Sequence, residues 1–453
     1  MLPLVAHASS LSFVMALRRL LCSGQAVAHL VGNNVKNTSW VAVCIVAGSS
    51  LGCAALAQPY PSAPTSMASA PQGQIVTLKQ ALEAAWARSV EAAASNGQHQ
   101  IARADHVVSQ SWLSGAPTLA ISQREGRGAA ASGSRETEIG VFLPLWRQGQ
   151  RQQSGATAEV RGDWAQANEQ VAKLRLAGQL REILAKLWMT RAELQQAHSQ
   201  GQLLQELAAD VDRRVKAGDL APTDAMAALA ELLAQQAQVV NLRQAEQAQM
   251  TMWRVITGLP AAPGPEQTST DAVPTTLAQH PEWREANMAV QLAQARVAQS
   301  EYQRGAAPEL GIGARQDRSG GGQAAQNSVA ISLRIPLGTK TYSQPQVAAA
   351  LAEHAVALSE QQRKHLLLEA DLQLAQAAVQ RQQGLMDGEV ERATLLRERA
   401  SLLRTSFQAG ETALAELLRA VSAAAHAESS VSRQQATLYQ AHARLQQALG
   451  QLP

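Results

Sequence analysis

The sequence predicts a mainly α protein with a small β part: long antiparallel helical hairpins of the coiled-coil kind, joined to four short β-strands. Three observations predict it. First, apolar or small residues follow a strict seam, Leu180, Ile183, Leu187, Thr190, Leu194, Ala197, Gly201, Leu204, Ala208, Val211 and Val215. The steps alternate three and four over about five heptads, as in a long helix that packs along one line and supercoils left-handedly. Second, the seam returns 192 residues later as Leu372, Ala375, Val379, Gln382, Met386, Glu389, Ala393, Leu396, Ala400, Leu403 and Phe407, with only Gln382 and Glu389 off pattern. The chain is therefore an internal duplication. Third, each copy carries two short segments in which apolar residues alternate next to a proline, the signature of strands.

Composition agrees with this class. Of 453 residues, 46% are hydrophobic but only 3% are aromatic. Small apolar side chains suit close-packed helices better than a bulky core. A formal charge of +3 is close to neutral for this length, which argues against a nucleic-acid partner.

The leader comes first. Lys36 precedes the apolar run Trp40 to Ala47, and Ala55-Leu56-Ala57 offers a small-x-small cleavage site before Gln58. Residues 1–57 are read as a signal peptide, the run being too short and interrupted for a convincing span. Cys53 is an alternative lipidated first residue, although Ser50 stands where leucine is usual. Cys22, Cys44 and Cys53 all lie in this leader, so a chain cut after Ala57 has no disulfide and no cysteine-based metal site.

Residues 58–75 are rich in Pro, Ser and Ala and read as a flexible segment. The first repeat spans 76–258, a linker with four prolines spans 259–276, and the second repeat spans 277–453. Val76 to Leu113 has a helical pattern. The strand at Ala116-Pro117-Thr118-Leu119-Ala120-Ile121 is echoed by Ala307-Pro308-Glu309-Leu310-Gly311-Ile312. Gly- and Ser-rich stretches, Arg124 to Glu136 and Arg315 to Asn327, read as exposed loops. The Gly320-Gly321-Gly322 run lacks the Gly-Lys-Ser/Thr that a phosphate loop needs.

In the second strand of each copy, Ile139, Val141 and Leu143 share a face, as do Ile331, Leu333 and Ile335. One apolar and one mixed face fit a barrel wall between lipid and water. Alternation alone fits a soluble hairpin equally well. Long helices follow, Gln148 to Ala217 and Ser343 to Ala409, each on the order of 100 Å at 1.5 Å per residue. Gly384 and Gly388 are candidate breaks in the second. Return helices run from Pro222 to Thr257 and from Ala413 to Leu449, ending at Gly258 and Gly450.

Each hairpin has a turn at its tip. Gly218 supplies a left-handed C-cap, with Arg213, Arg214 and Lys216 beside the negative helix end. Pro222 suits a first helical turn and Asp224 its positive end. Gln408-Ala409-Gly410-Glu411-Thr412 repeats the device.

Four strands cannot close a barrel, for which about eight is the minimum. Open edges cannot face lipid, because each unpaired backbone group costs several kcal/mol there. Strands in a membrane would therefore have to be pooled between protomers.

On the Lys216 to Asp224 and Gln408 to Thr412 tips, the strand ends Leu143-Pro144-Leu145 and Ile335-Pro336-Leu337, and the helix-ending Gly258 and Gly450, the chain resembles the TolC-like outer-membrane efflux proteins over about Val76 to Gly450. The resemblance implies a homotrimer whose four strands per protomer build one transmembrane β-barrel, continued by a periplasmic helical tunnel. It implies a passive exit duct of a tripartite system, with a periplasmic adaptor and an inner-membrane pump of the RND type as partners, and outer-membrane lipid around the barrel. No catalytic residue, cofactor or resident metal is expected.

Within the family, His280-Pro281-Glu282 and the run from Arg304 to Gly313 are similar to the cation- and heavy-metal-efflux branch. Drug efflux and type I protein secretion are alternatives, as is a soluble periplasmic coiled-coil scaffold. The resemblance places an aperture acid at Asp224 and at Glu416, six residues past each tip glycine. Such a ring of carboxylates concentrates cations. A second family acid, nine residues past Gly410, is Arg419 here, which is placed to pair with Glu416 at i, i+3. The tip turns Gly218, Asp219, Leu220 and Gly410, Glu411, Thr412 match the family's adaptor-docking surface. The eight remaining histidines show no ligand pairing at i, i+4 and read as scattered helix-surface residues.

Overall fold

The computed structural model describes residues 76–127, 133–264, 276–303, 305–319, 324–337 and 340–453. The leader with its cysteines, residues 58–75, the Gly320 to Gly322 run and most of the 259–276 linker lie outside the described residues. In chain order the elements are α1 Leu78–Arg88, α2 Val90–Gln110, β1 Thr118–Glu125, β2 Arg135–Pro144, α3 Gln150–Ala217, α4 Pro222–Thr257, α5 Pro281–Tyr302, β3 Glu309–Arg318, β4 Gln326–Arg334, α6 Lys340–Gln408 and α7 Leu414–Ala448. Among these, no helix is long and apolar enough to cross a membrane.

The two long helices have 68 and 69 residues. Every residue of both seams faces inward: none of the eleven positions in either copy is exposed. The two polar intruders are satisfied. Gln434 donates its amide to the side chain and carbonyl of Gln382, and Glu389 pairs with Arg392 one turn on. Gly384 and Gly388 do not break α6, which runs through both. A helix glycine costs about 1 kcal/mol, and packing along α7 outweighs that.

The helical region 76–113 consists of two helices, α1 and α2. Ser89 (φ −79°, ψ 149°) leaves the helical basin and serves both sides. Its hydroxyl accepts from Ala92 N–H at 3.0 Å and donates to the Trp86 carbonyl at 3.0 Å. One serine thus ends α1 and caps α2. The short α1 lays Leu78, Ala81, Leu82 and Ala85 on Leu176, Ala177, Leu180 and Leu184 of α3, beside the buried Trp253.

Contacts along α3 give the helical layer its order. Its first half packs between α2 and α5, its second half between α4 and α7. The α5 and α7 helices also pack on α6. From one side to the other the layer runs α2 and α4, then α3, then α5 and α7, then α6. Apart from α1, which packs on α4 and touches α2, no helix among the described residues covers the outer flanks of α2, α4 and α6.

The strands form one antiparallel sheet in the order β1-β2-β3-β4. The two copies therefore meet directly, β2 pairing with β3 from Arg135↔Arg318 to Pro144↔Glu309. Here Gly140 faces Gly313. A Cβ at 313 would lie 3.2 Å from the Ile139 carbonyl oxygen, so bare backbones let the copies approach. Both β1 and β4 have a free edge and are exposed along their full length.

Candidate functional site

Two surfaces at opposite ends of the helices carry the candidate residues. The first is the pair of tips. The α3 helix ends in a Schellman turn at Gly218 (φ 88°), where Gly218 N–H donates to Val215 O at 3.1 Å and Asp219 N–H to Arg214 O at 2.9 Å. Gly410 (φ 82°) repeats it, with bonds of 3.0 Å to Phe407 O and from Glu411 N–H to Ser406 O. The left-handed backbone is why both positions are glycine. A Cβ at either would meet nothing within 4 Å, so both turns project into open space.

The tips of the two copies are packed together. Leu207, Val211 and Ala228 of the first hairpin bury against Phe407, Leu414 and Leu417 of the second, with Leu220 partly covered beside them. Arg214 crosses between them. Its Nη1 donates to the Phe407 carbonyl at 3.1 Å and its Nη2 to the Gln408 carbonyl at 3.3 Å, while its guanidinium lies 4.9 Å from the Phe407 ring. Arg214 thus caps the C-terminus of α6, the neighbouring helix, and not only its own helix as the sequence suggests. Arg213 and Arg214 both pair with Asp210 on their own helix, at 3.0 and 3.2 Å, and Lys216 pairs with Asp212 at 2.6 Å.

Asp219, Gly410 and Glu411 are exposed, Leu220 and Thr412 half-buried. The Thr412 hydroxyl is held by Ser406 Oγ. Asp224 and Glu416 stand in the first turns of α4 and α7, equivalent in the two copies. The expected Glu416–Arg419 pair is not formed: Arg419 Nε donates to the Ala415 carbonyl of its own helix at 3.1 Å. A side chain that turns back to an i−4 carbonyl leaves the exposed Glu416 carboxylate free among the described residues.

The second surface is the sheet. Its register aligns Leu119, Val141, Ile312 and Ile331 in one row, Ile121, Ile139, Ala314 and Val329 in the next, and Leu143, Leu310 and Leu333 in a third. The apolar band crosses all four strands on one face, because side chains alternate and no bulge interrupts the pairing. Ile331, Val329 and Leu119 are 76%, 78% and 66% exposed, values foreign to a core. A polar row of Gln123, Thr137, Gln316 and Asn327 borders the band. The other face carries Glu136, Glu138, Arg315 and Asp317, with Arg315 paired to Glu136 at 3.2 Å. Ile335 falls one residue beyond β4, since Pro336 next to it has no N–H to continue the ladder.

One histidine departs from the surface reading. His280 is 3% exposed and caps α5, its Nδ1 accepting from Glu282 N–H at 3.2 Å. Gly450 (φ 70°) closes α7 against it, and a Cβ there would sit 2.7 Å from the ring. The first copy has the same joint, with Gly258 against Arg88, the position 192 residues before His280. Burial pushes His280 below the ordinary imidazole value of 6.5, against the pull of Glu282. Protonation would also remove the Nδ1 lone pair that caps the helix. Stability linked to this group is therefore complete above pH 6.5 and is lost as pH falls through the depressed folded-state value. His280→Gln is expected to flatten the pH dependence of thermal unfolding below 6.5; an unchanged slope would contradict this.

No family model and no curated protein matches the sequence. Solved structures do. The protomer has the fold of bacterial outer-membrane channels, which is the fold implied by the resemblance to the TolC-like proteins. It is similar to the outer membrane protein VceC from Vibrio cholerae, with a TM-score of 0.65 at 15% identity over 82% of this chain and 96% of that one. It is similar to CusC, known for transmembrane channel formation, at 0.68, 14% identity, 83% and 92%. The open state of the Neisseria gonorrhoeae MtrE outer membrane channel gives 0.63 at 17% identity, 83% and 89%.

Proposed function

We propose that this chain is the outer-membrane exit duct of a tripartite efflux system, a passive channel that works as a homotrimer with its helices in the periplasm. One observation carries the reading: a four-stranded sheet with two free edges and a lipid-suited apolar band, set on helices whose flanks are also uncovered. Three copies give about twelve strands, above the roughly eight that closure needs. In that barrel Ile139, Val141, Leu143, Ile331 and Leu333 face lipid, while the charged face lines the water-filled interior. The number three rests on the resemblance to the TolC-like family.

The flanks make the same demand. On α6, Leu351, Leu366, Leu374, Leu395 and Leu402 are between 51% and 70% exposed; on α4, Met226, Leu229, Leu233 and Val240 are between 52% and 72% exposed. Apolar stripes of this length are unusual on a monomer and mark contact surfaces. The two flanks differ, so each α6 meets the α2 and α4 flank of the next copy. Such head-to-tail contacts close into a ring.

The tips then point away from the barrel, with Asp224 and Glu416 around the far aperture and the Gly218 and Gly410 turns presented to an adaptor joined to an RND-type pump. Arg419 dilutes the negative charge at that mouth. Cargo is set by the pump. His280-Pro281-Glu282 has structural work, since His280 caps, Pro281 opens α5 and Glu282 pairs with Lys364 at 2.6 Å. Membership of the metal-efflux branch therefore rests on sequence likeness, and metal sensitivity of a deletion strain tests it.

Cysteines placed on the free edges of β1 and β4 should cross-link into trimers in outer-membrane fractions, and the purified trimer should form single channels in planar bilayers. Cross-links confined to monomers, or an inert protein, would overturn the reading.

A further inference from the structure

A groove between α3 and α7 contains an arginine without a counter-charge. Arg181 is 6% exposed. Its Nη1 donates to Gln447 Oε1 at 3.0 Å and its Nη2 to the Gln451 carbonyl at 2.9 Å, both neutral acceptors. Its Nε is buried with no acceptor. Among the described residues it forms no ion pair, whereas breaking or omitting the partner of a buried charge is strongly destabilising. The arginine is no requirement of the repeat, for the equivalent position in the second copy is the exposed Gln373.

Burial lowers Arg181 to about 10, which still leaves it charged at neutral pH. A cavity of about 100 Å³ opens beside it, lined also by Gln440 and Arg444. Arg444 is exposed at the mouth, and among the described residues it makes no hydrogen bond or ion pair. Its counterpart in the first copy is Met252. Glu182 lines the same cavity; it is held by Lys186 at 2.8 Å and also feels the charge of Arg444, so one carboxylate faces three cations and the groove keeps a positive excess. This volume admits a few waters or a small anion.

We propose that the groove binds a small monovalent anion, held between the Arg181 Nε–H and the Arg444 guanidinium. An anion there completes the donor set of a buried guanidinium by charge-assisted hydrogen bonds, the strongest kind available to it. It would also tie the last turn of α7 to α3, since Arg181 already holds Gln447 and Gln451.

The probe is chloride against gluconate at constant ionic strength, read by thermal unfolding of the detergent-purified full chain. The unfolding temperature should rise saturably with chloride but not with gluconate. Arg444→Gln, an exposed change that leaves Arg181 in place, should weaken half-saturation severalfold, and Arg181→Met should abolish the response. Crystals grown in bromide should show anomalous density within hydrogen-bonding distance of Arg181 Nε. Equal unfolding in the two salts, a chloride response retained in both variants, or bromide absent from the groove would each overturn the assignment.

Discussion

A chain carrying Leu366→Glu and Leu374→Glu is expected to leave the outer membrane fraction as a monomer. Both leucines are on the uncovered flank of α6, 67% and 69% exposed in the protomer. Under the proposed ring they bury against α2 and α4 of the next copy. Full burial of one leucine contributes about 1.5–3 kcal/mol, so each interface loses on the order of 3–6 kcal/mol before any cost of burying the new carboxylates. That is roughly a hundredfold to ten-thousandfold in each contact. Size-exclusion chromatography with light scattering reads the outcome. Leu368→Glu is the wrong control because Leu368 is already buried within the protomer. A substitution at exposed Glu360, which removes no apolar area, should leave the oligomer intact. A double variant that still assembles would remove the flank from the argument.

Gly218→Val is expected to abolish export while the oligomer still forms. The residue sits at φ 88°, a left-handed conformation in which a β-branched side chain is strained by about 1–2 kcal/mol or more. The space around it is open, so the penalty is paid by the turn and not by the packed tip. The Schellman bonds from Gly218 and Asp219 should be lost and the docking shape with them. Gly218→Asn separates the two effects, because asparagine tolerates the left-handed basin. It keeps the turn but adds a side chain to the surface. Loss of adaptor cross-linking in both variants identifies contact. Loss in valine alone identifies turn geometry. Export unchanged in both would exclude the tip from docking.

What the sequence made legible follows from where the information is local. A glycine at a left-handed cap declares itself, and so does a seam with steps of three and four, because both are properties of one helix. The 192-residue offset then doubled every such signal, which is why Gly218 and Gly410, or Pro222 and Leu414, could be placed within a residue or so. The alternation of Ile139, Val141 and Leu143 revealed a face but not its neighbours. Pairing of β2 with β3 depends on two segments about 170 residues apart, and no periodicity encodes it.

Ser89 was hidden for another reason. A serine inside a helical pattern is unremarkable until its own backbone is seen to leave the helix. The contact of Arg214 with α6 and the burial of His280 were not legible, because their partners, the Phe407 carbonyl and Gly450, come from the other hairpin or the far end of the chain. Arg181 gave no signal at all: nothing in a heptad says which polar residue will lack an acceptor.

The free edges of β1 and β4 have a genetic corollary. Because β2 and β3 are already zipped inside each chain, a barrel of the proposed trimer would contain a single kind of seam, repeated around the ring. One subunit with a spoiled edge would then disable the whole ring it joins. In a cell making intact and edge-defective chains in equal amounts, random mixing would leave roughly one assembly in eight fully sound. Alleles of this sort should behave as dominant poisons, whereas alleles that prevent folding altogether should be recessive.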